Sequence, residues 1–243
     1  MRSPAMTWRT NKIIIMFRQV GRYLGINWVI QKWLYGQLGY EEKFGRLLLK
    51  SIHLGDTVWD VGANVGFYSA QFAVSVGSSG RVYAFEPSPE TLRLLEEQIK
   101  LHDNVIVVPY ALGGRNSKAF LKQSIGDKGG TSRVIEKKEI SQDKGLYEIQ
   151  VWTGDRYVDL GKSPIPNLVK IDAEGAEVEI LEGMENILSS QELRAIFMEV
   201  HFSVLQERGL AKAPAEMEKK LISKGFHVEW VDFSHLVAQK KKQ

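Results

Sequence analysis

The chain has 243 residues, of which 44% are hydrophobic and 25% charged, and it contains no cysteine. This composition predicts a globular protein with a full core and excludes an intrinsically disordered chain, disulfides and cysteine-bound zinc. The net charge is +3, but residues 1 to 55 sum to +7 and the remainder to −4. Because nucleic-acid binding needs a continuous basic face, we expect no nucleic-acid partner.

Residues 1 to 50 form a basic segment in which apolar side chains recur at helical spacing. We expect this N-terminal amphipathic helical segment to precede one domain at residues 51 to 243. The segment packs on that domain or, as an alternative, makes peripheral contact with an anionic membrane surface. Since no uncharged run reaches the ~18 residues needed to cross a bilayer, we expect a cytoplasmic protein, with peripheral membrane association left open.

Residues 58 to 70 read VWDVGANVGFYSA, an apolar strand followed by a glycine-containing turn and the start of a helix. The turn contains Asp60, Gly62, Asn64 and Gly66. We interpret the glycines as positions where a ligand approaches the backbone more closely than a Cβ would allow. A dinucleotide loop requires the spacing G-x-G-x-x-G, which this turn lacks. A nicotinamide-dependent oxidoreductase is therefore kept only as an alternative.

Residues 81 to 87 read RVYAFEP and form a second apolar strand that ends at Glu86. This acid follows Gly62 at the spacing with which a βαβ unit presents a carboxylate to ribose hydroxyls. Ser88 and Pro89 are typical of a helix start. The sequence thus predicts a strand, a helix and a second strand arranged around a nucleoside.

The chain continues as alternating strands and helices, which predicts a mostly parallel sheet. Further strands are predicted at residues 105 to 109, 168 to 172 and 195 to 200, and an antiparallel pair at residues 226 to 232 and 235 to 239. Residues 114 to 160 depart from this pattern, with short strands at 119 to 122, 133 to 136 and 147 to 153. We interpret them as a β-rich insertion whose most mobile loop spans residues 125 to 131.

Two further strands deliver acids to the predicted ligand edge of the sheet. The segment LVKIDAEGAEVEIL places Asp172 and Glu174 after one strand, and FMEVH places Glu199 and His201 at the end of another. Because open α/β sheets bind ligands at the carboxyl ends of their strands, we predict that these four residues share one rim. Glu177, Glu179 and Glu182 are assigned to a helix surface or its first turn.

The ordered set DVGANVGFYS, FEPSPE, ALG, VKIDAEGAEVEILEG and MEVH resembles the FkbM family of S-adenosylmethionine (AdoMet) methyltransferases over residues 40 to 240. The resemblance implies a Rossmann-like class I methyltransferase fold, a seven-stranded sheet with an antiparallel C-terminal hairpin. It implies methylation of hydroxyl oxygens on a sugar, lipid-linked glycan or natural-product acceptor. Pro109 and Tyr110 stand where the family often has an asparagine, so the adenine contact stays unassigned.

The resemblance implies a role for each candidate residue. Asp60, Gly62, Asn64 and Gly66 would bind the methionine end of AdoMet, and Glu86 its ribose. The resemblance puts Asp172 and Glu174 beside the reacting centre. The reaction that it implies needs a general base, and we choose Asp172 or His201 for that role, with Glu174 and Glu199 orienting the acceptor or the partner side chain. We expect no metal, although Asp172, Glu174, Glu199 and His201 could hold Mg²⁺ or Mn²⁺. A non-catalytic membrane-associated module is a further alternative, and the oligomeric state stays open.

Overall fold

The structure, a computed structural model, describes residues 40–123, 132–135 and 146–241. The predicted basic segment up to residue 39 and the loop at residues 125 to 131 lie outside them. The helices are α1 (Tyr40–Lys50), α2 (Phe67–Val76), α3 (Pro89–Ile99), α4 (Gly154–Asp159), α5 (Glu177–Glu182), α6 (Glu185–Ser189), α7 (Phe202–Glu207) and α8 (Ala213–Ser223).

The strands that were predicted from the sequence begin and end within about two residues of their predicted bounds. They are β1 (Thr57–Val61), β2 (Arg81–Phe85), β3 (Val105–Val108), β4 (Ala111–Leu112), β5 (Ser117–Gln123), β6 (Ser132–Ile135), β7 (Leu146–Trp152), β8 (Leu168–Ile171), β9 (Ala195–Glu199), β10 (Phe226–Trp230) and β11 (His235–Lys240).

Seven strands form the main sheet in the order β10-β11-β9-β8-β1-β2-β3. Strands β3, β2, β1, β8 and β9 are parallel, whereas β11 runs antiparallel to both β9 and β10. The central strands are buried on both faces, which explains why their buried residues are apolar except Asp60 and Lys170. This topology confirms the predicted class I methyltransferase fold.

Helices cover both faces of the main sheet. Because side chains alternate along a strand, Val58 faces one core, with Phe72 of α2, and Trp59 faces the other, with Ile180 of α5. Ser88 caps α3 by accepting from the amide of Thr91, and Pro89 follows at its first position. Helices α2 and α3 are held against the sheet, so the loops that precede them have fixed positions.

The β-rich insertion forms a separate four-stranded sheet in the order β4-β7-β5-β6. Strand β5 pairs antiparallel with β6 and β7, while β4 pairs parallel with β7. Leu121 of β5 is buried in this unit. The predicted insertion is thus a small sheet joined to the main domain through β4, immediately after β3.

Helix α1 packs in the core although its residues were assigned to the N-terminal segment. Phe44 and Leu48 are buried with Val58, Phe72 and Phe197. Residues 40 to 50 therefore belong structurally with the main domain. No helix in the described part of the chain has the length and apolar character needed to cross a lipid bilayer.

Candidate active site

A cavity opens at the carboxyl ends of the central strands. About 730 Å³ of space free of protein atoms lies within its outline, and this figure includes open solvent. The turns after β1, β2, β3 and β8 supply most of its wall. Its lining residues are Val61, Gly62, Asn64, Phe85, Glu86, Pro87, Thr91, Tyr110, Ala111, Leu112, Leu121, Asp172, Ala173, Glu174, Ala176 and Ile180.

The turn after β1 owes its glycines to protein packing. Gly62 has φ +77°, and a Cβ there would overlap the carbonyl oxygen of Asp172. A Cβ on Gly66 would lie 2.6 Å from Leu95 Cδ1. These glycines therefore let the β1 turn contact the β8 turn and α3, and the approach of a ligand to the same turn stays a prediction.

Glu86 lies buried at the cavity wall, where the sequence predicted a ribose contact. Its carboxylate accepts hydrogen bonds from the amides of Asn64, at 3.0 Å, and Ser88, at 2.9 Å. Burial raises the pKa of this carboxyl to about 7, and the two amide hydrogen bonds only partly offset that rise. The group therefore gains or loses its charge near neutral pH.

Asp60 is fully buried behind the cavity and is absent from its lining. The hydroxyl of Ser69 donates to it at 2.7 Å, and the Lys170 ammonium donates at 3.1 Å. Burial acts to lower the pKa of Lys170, but Asp60 and Asp172 outweigh it and raise that pKa to about 12. Asp60 and Lys170 thus form a buried ion pair beneath the turn, and Lys170 lies 3.8 Å from Asp172 Oδ2.

The structure brings the four predicted rim residues together. We call Asp172, Glu174 and Glu199 the carboxylate cluster. His201 Nε2 lies 3.7 Å from Asp172 Oδ1 and 3.4 Å from Glu174 Oε2. One donor atom each from Asp172, Glu199 and His201 lie within 4.8 Å of one another. Asp172 and Glu174 also line the cavity, so the cluster adjoins the predicted cofactor space.

Glu177 is the residue that orients His201. Its Oε1 lies 2.7 Å from His201 Nδ1 and also accepts from the Gly175 amide at 2.9 Å. Glu177 is the first residue of α5 and is fully buried, so of the two predicted positions it takes the first turn and not the helix surface. Glu179 instead pairs with Arg208 at the helix surface, and Glu182 is exposed.

The electrostatic environment of His201 favours its charged form. Burial disfavours the imidazolium, but the hydrogen bond that it donates to Glu177 and the charges of Glu177, Glu199 and Glu174 raise the pKa of His201 to about 10. His201 is therefore protonated at neutral pH in the ligand-free protein. A protonated imidazole has no lone pair with which to accept a proton, so this state opposes its predicted role as the base.

Sequence reasoning did not select His235, which lies on the far side of the cluster. Its Nε2 is 3.7 Å from Glu199 Oε2, and its Nδ1 is 2.8 Å from Asp232 Oδ2. Burial lowers the pKa of His235, but Asp232 and Glu199 outweigh that effect and raise it. The available signal was local: Asp232 stands three residues before His235 at the β10–β11 turn.

Curated relatives of the chain include two methyltransferases. The chain is 34% identical over 173 residues to hexuronic acid methyltransferase AglP of Haloferax volcanii, covering 71% of this chain and 67% of that protein. It is 26% identical over 144 residues to methyltransferase 1 of Beauveria bassiana, covering 52% of this chain and 57% of the relative. The chain thus spans little more than half the length of the fungal relative.

Solved structures share the fold at low sequence identity. A methyltransferase FkbM from Methylobacillus flagellatus has a TM-score of 0.51 at 14% identity, over 76% of this chain and 43% of that one. A putative rRNA-methylase from Clostridium thermocellum has a TM-score of 0.50 at 12% identity, over 83% and 96%. At these identities the likeness concerns the fold alone.

The sequence model of the methyltransferase FkbM domain matches residues 60–228, which is more than half of the chain. The matched range contains the β1 turn, Glu86, the carboxylate cluster and His201. The match favours the methyltransferase interpretation over a nicotinamide-dependent oxidoreductase. The chain belongs to the FkbM family of AdoMet-dependent methyltransferases.

Proposed function

We propose that the protein transfers the methyl group of AdoMet to a hydroxyl oxygen of a sugar acceptor, free or lipid-linked. One observation carries the proposal: a single cavity has Glu86 at one part of its wall and Asp172 with Glu174 at another. The relative AglP, named a hexuronic acid methyltransferase, supports a sugar as the acceptor class. A natural-product hydroxyl is the second acceptor class that the same chemistry would serve.

Successive residues along the cavity wall would contact the ribose, the adenine and the methionine end of AdoMet. Glu86, as a carboxylate, would accept hydrogen bonds from the two ribose hydroxyls, each charge-assisted. Tyr110, Leu112 and Leu121 offer apolar surface for the adenine, and Tyr110 is itself stacked on Trp152 with ring centroids 5.3 Å apart. The methionine end would then lie by Gly62 and Asn64, with its methyl group toward Asp172.

The transfer forms a bond between the acceptor oxygen and the methyl carbon while the bond from that carbon to sulfur breaks. The sulfonium charge is neutralised as S-adenosylhomocysteine leaves, and the hydroxyl proton passes to a base. Asp172 is our choice of base, because its side chain is 36% exposed and lines the cavity. The protein's contribution is to align the oxygen with the methyl group and to accept that proton.

His201 serves this reaction better as a cation than as a base. Its protonated ring lies beside Asp172 and Glu174 and offers both side chains a positively charged neighbour. Glu174 and Glu199 would orient the acceptor or a partner side chain, the role that the sequence predicted for them. A peripheral membrane contact by residues 1 to 39 stays a separate proposal.

Deuteromethyl-labelled AdoMet tests the proposed function. The full chain is incubated with the label and with a panel of uronic acids, neutral sugars and lipid-linked glycans, and the products are analysed by mass spectrometry. We expect a sugar to gain one labelled methyl group, in a position resistant to mild alkaline hydrolysis, as an ether is. Label confined to an alkali-labile ester, or to non-sugar acceptors, would contradict the proposal.

A further inference from the structure

Two buried histidines face the carboxylate cluster in the same way. The Nδ1 atom of His201 is bonded to Glu177, and that of His235 is bonded to Asp232. These bonds fix both rings and leave each Nε2 directed at the cluster, at 3.4 Å from Glu174 and 3.7 Å from Glu199. A histidine that binds a metal through one nitrogen commonly donates the other N–H to a carboxylate.

His201 has the burial and orientation of a metal ligand. The residue is only 7% exposed, and within the described residues the hydrogen bond of its side chain is the one between Nδ1 and Glu177. Its Nε2 contacts with Asp172 and Glu174 are longer than the 2.7–3.2 Å of an ordinary N–H···O hydrogen bond. The buried Nε2 atom of His201 thus points between the carboxyl groups of Asp172 and Glu174 and lies beyond ordinary hydrogen-bond distance of both.

The spacing of the donor atoms suits a single cation. Donor atoms of Asp172, Glu199 and His201 lie within 4.8 Å of one another. Opposite ligands of an octahedral Mg²⁺ lie about 4.2 Å apart, given bond lengths near 2.1 Å. The Asp172 and Glu199 side chains are 36% and 25% exposed, so small rotations of either would close the remaining gap.

The charges around this point also favour a cation. Asp172, Glu174, Glu177 and Glu199 place four carboxyl groups around the His201 ring. Two carboxylates and one imidazole form a mixed oxygen and nitrogen donor set, which suits Mn²⁺ or Mg²⁺ better than soft metals that select thiolates.

We propose that Asp172, Glu199 and His201 bind one divalent cation, Mn²⁺ or Mg²⁺, which displaces the proton that the His201 ring carries in the ligand-free protein, and that Glu177 is the positioning residue that holds the ring in place. This proposal departs from the expectation of no metal ligand. The cation would lie beside the cavity, where it would bind an acceptor oxygen and lower the pKa of its hydroxyl. That catalytic role rests on the proposed function, whereas the binding itself does not.

Electron paramagnetic resonance of Mn²⁺ tests the site on the full chain, after chelator treatment and with neither AdoMet nor acceptor present. The signal of free Mn²⁺ decreases as the ion binds, which gives a stoichiometry and an affinity. We expect one Mn²⁺ per chain, with affinity at least tenfold weaker in Glu199→Gln and 10- to 100-fold weaker in Glu177→Gln. Glu182→Gln, an exposed carboxylate at the end of the same helix as Glu177, should bind like the unmodified chain.

Absence of Mn²⁺ binding at millimolar concentration, or equal affinity in Glu199→Gln and Glu182→Gln, would overturn the proposal. Calorimetric titration with AdoMet checks that each variant is folded, and Glu199→Gln carries the test should Glu177→Gln fail to fold. Mn²⁺ binding without transfer of label to any sugar would leave the cation site standing and contradict the proposed acceptor. Transfer of label to a sugar by a chain that binds no Mn²⁺ would support the proposed acceptor and overturn the cation site.

Discussion

Glu86 is a buried carboxyl at the cavity wall, and its proposed contact with the cofactor would couple cofactor binding to pH. Burial raises its pKa from an ordinary 4.5 to about 7. Between these values the folded protein binds more protons than the unfolded chain, so this group lowers the stability of the ligand-free protein as pH rises from about 4.5 to about 7. Ribose hydroxyls donate hydrogen bonds to the ionised form of Glu86. Cofactor binding should therefore favour the ionised form, which burial disfavours in the ligand-free protein.

We predict that AdoMet binds about tenfold more tightly at pH 8 than at pH 6, because a group of pKa about 7 is about one-tenth ionised at pH 6 and about nine-tenths at pH 8. Calorimetric titration at both pH values measures the change. The amino group of AdoMet also titrates, so Glu86→Gln serves as the control and should lose the Glu86 contribution. An identical pH dependence in both proteins would mean that Glu86 does not contact the cofactor.

Asp172 should affect the reaction far more than cofactor binding. We predict that Asp172→Asn lowers turnover by about 10²- to 10⁴-fold, the usual contribution of a general base, and changes AdoMet affinity by only a few-fold. Single-turnover kinetics with the labelled acceptor, set beside calorimetric titration, separates the two quantities. Equal losses in affinity and turnover would assign Asp172 to cofactor binding.

The sequence identified the residues whose spacing follows the strands, such as Glu86, Asp172 and His201. It did not identify Glu177 or Lys170 as parts of the site, because their roles depend on which partner lies across the fold. Lys170 reaches Asp60 across 110 positions of sequence, and Glu177 reaches His201 across 24. To predict such pairs, one must know which segments lie side by side in the fold, and a single sequence does not show this.

At the scale of elements, the turn after β1 contacts the ends of both neighbouring strands of the sheet, β2 and β8. The amides of Gly62 and Ala63 both donate to the carbonyl of Phe85, at 3.0 Å, and the Asp172 amide donates to the carbonyl of Val61. The missing Cβ of Gly62 is what allows the Asp172 carbonyl to approach. This turn therefore depends on backbone contacts with both β2 and β8.

We predict that Gly62→Ala lowers the free energy of unfolding by clearly more than the about 1–2 kcal/mol of a left-handed backbone angle alone, because backbone atoms must move. Gly209→Ala is the matched control, since Gly209 has φ +75° and no atom within 4 Å of an added Cβ. Urea denaturation of the two variants gives both free energies. Similar losses would show that the packing against Asp172 tolerates a methyl group.

Element types were predictable because buried parallel strands and their flanking helices have different periodicities. The pairing of the insertion was not predictable. Strand β4 has two residues and pairs with β7 across about forty positions, and so short a strand carries no periodic signal. The packing of α1 was likewise undetermined, because an amphipathic helix has the same pattern whether its partner is protein or lipid.

At the scale of the whole molecule, the cavity is lined by segments of the main domain from β1 to α5 and by two strands of the insertion sheet, β4 and β5. A ligand that binds these segments only when they are folded stabilises the entire domain by mass action. We predict that AdoMet at 100 times its Kd adds about 2.7 kcal/mol to the free energy of unfolding, which is a rise in Tm of about 5 to 10 °C. Thermal unfolding followed by circular dichroism measures it, and a comparable rise with NADH would contradict the cofactor assignment.

The central claim is that AdoMet occupies this cavity with its ribose at Glu86 and its methyl group toward Asp172. A crystal structure of the protein with S-adenosylhomocysteine tests that claim most directly. We expect both ribose hydroxyls within hydrogen-bond distance of the Glu86 carboxylate, and the sulfur between the β1 turn and Asp172. A cofactor bound elsewhere, or bound here with its ribose away from Glu86, would contradict the account.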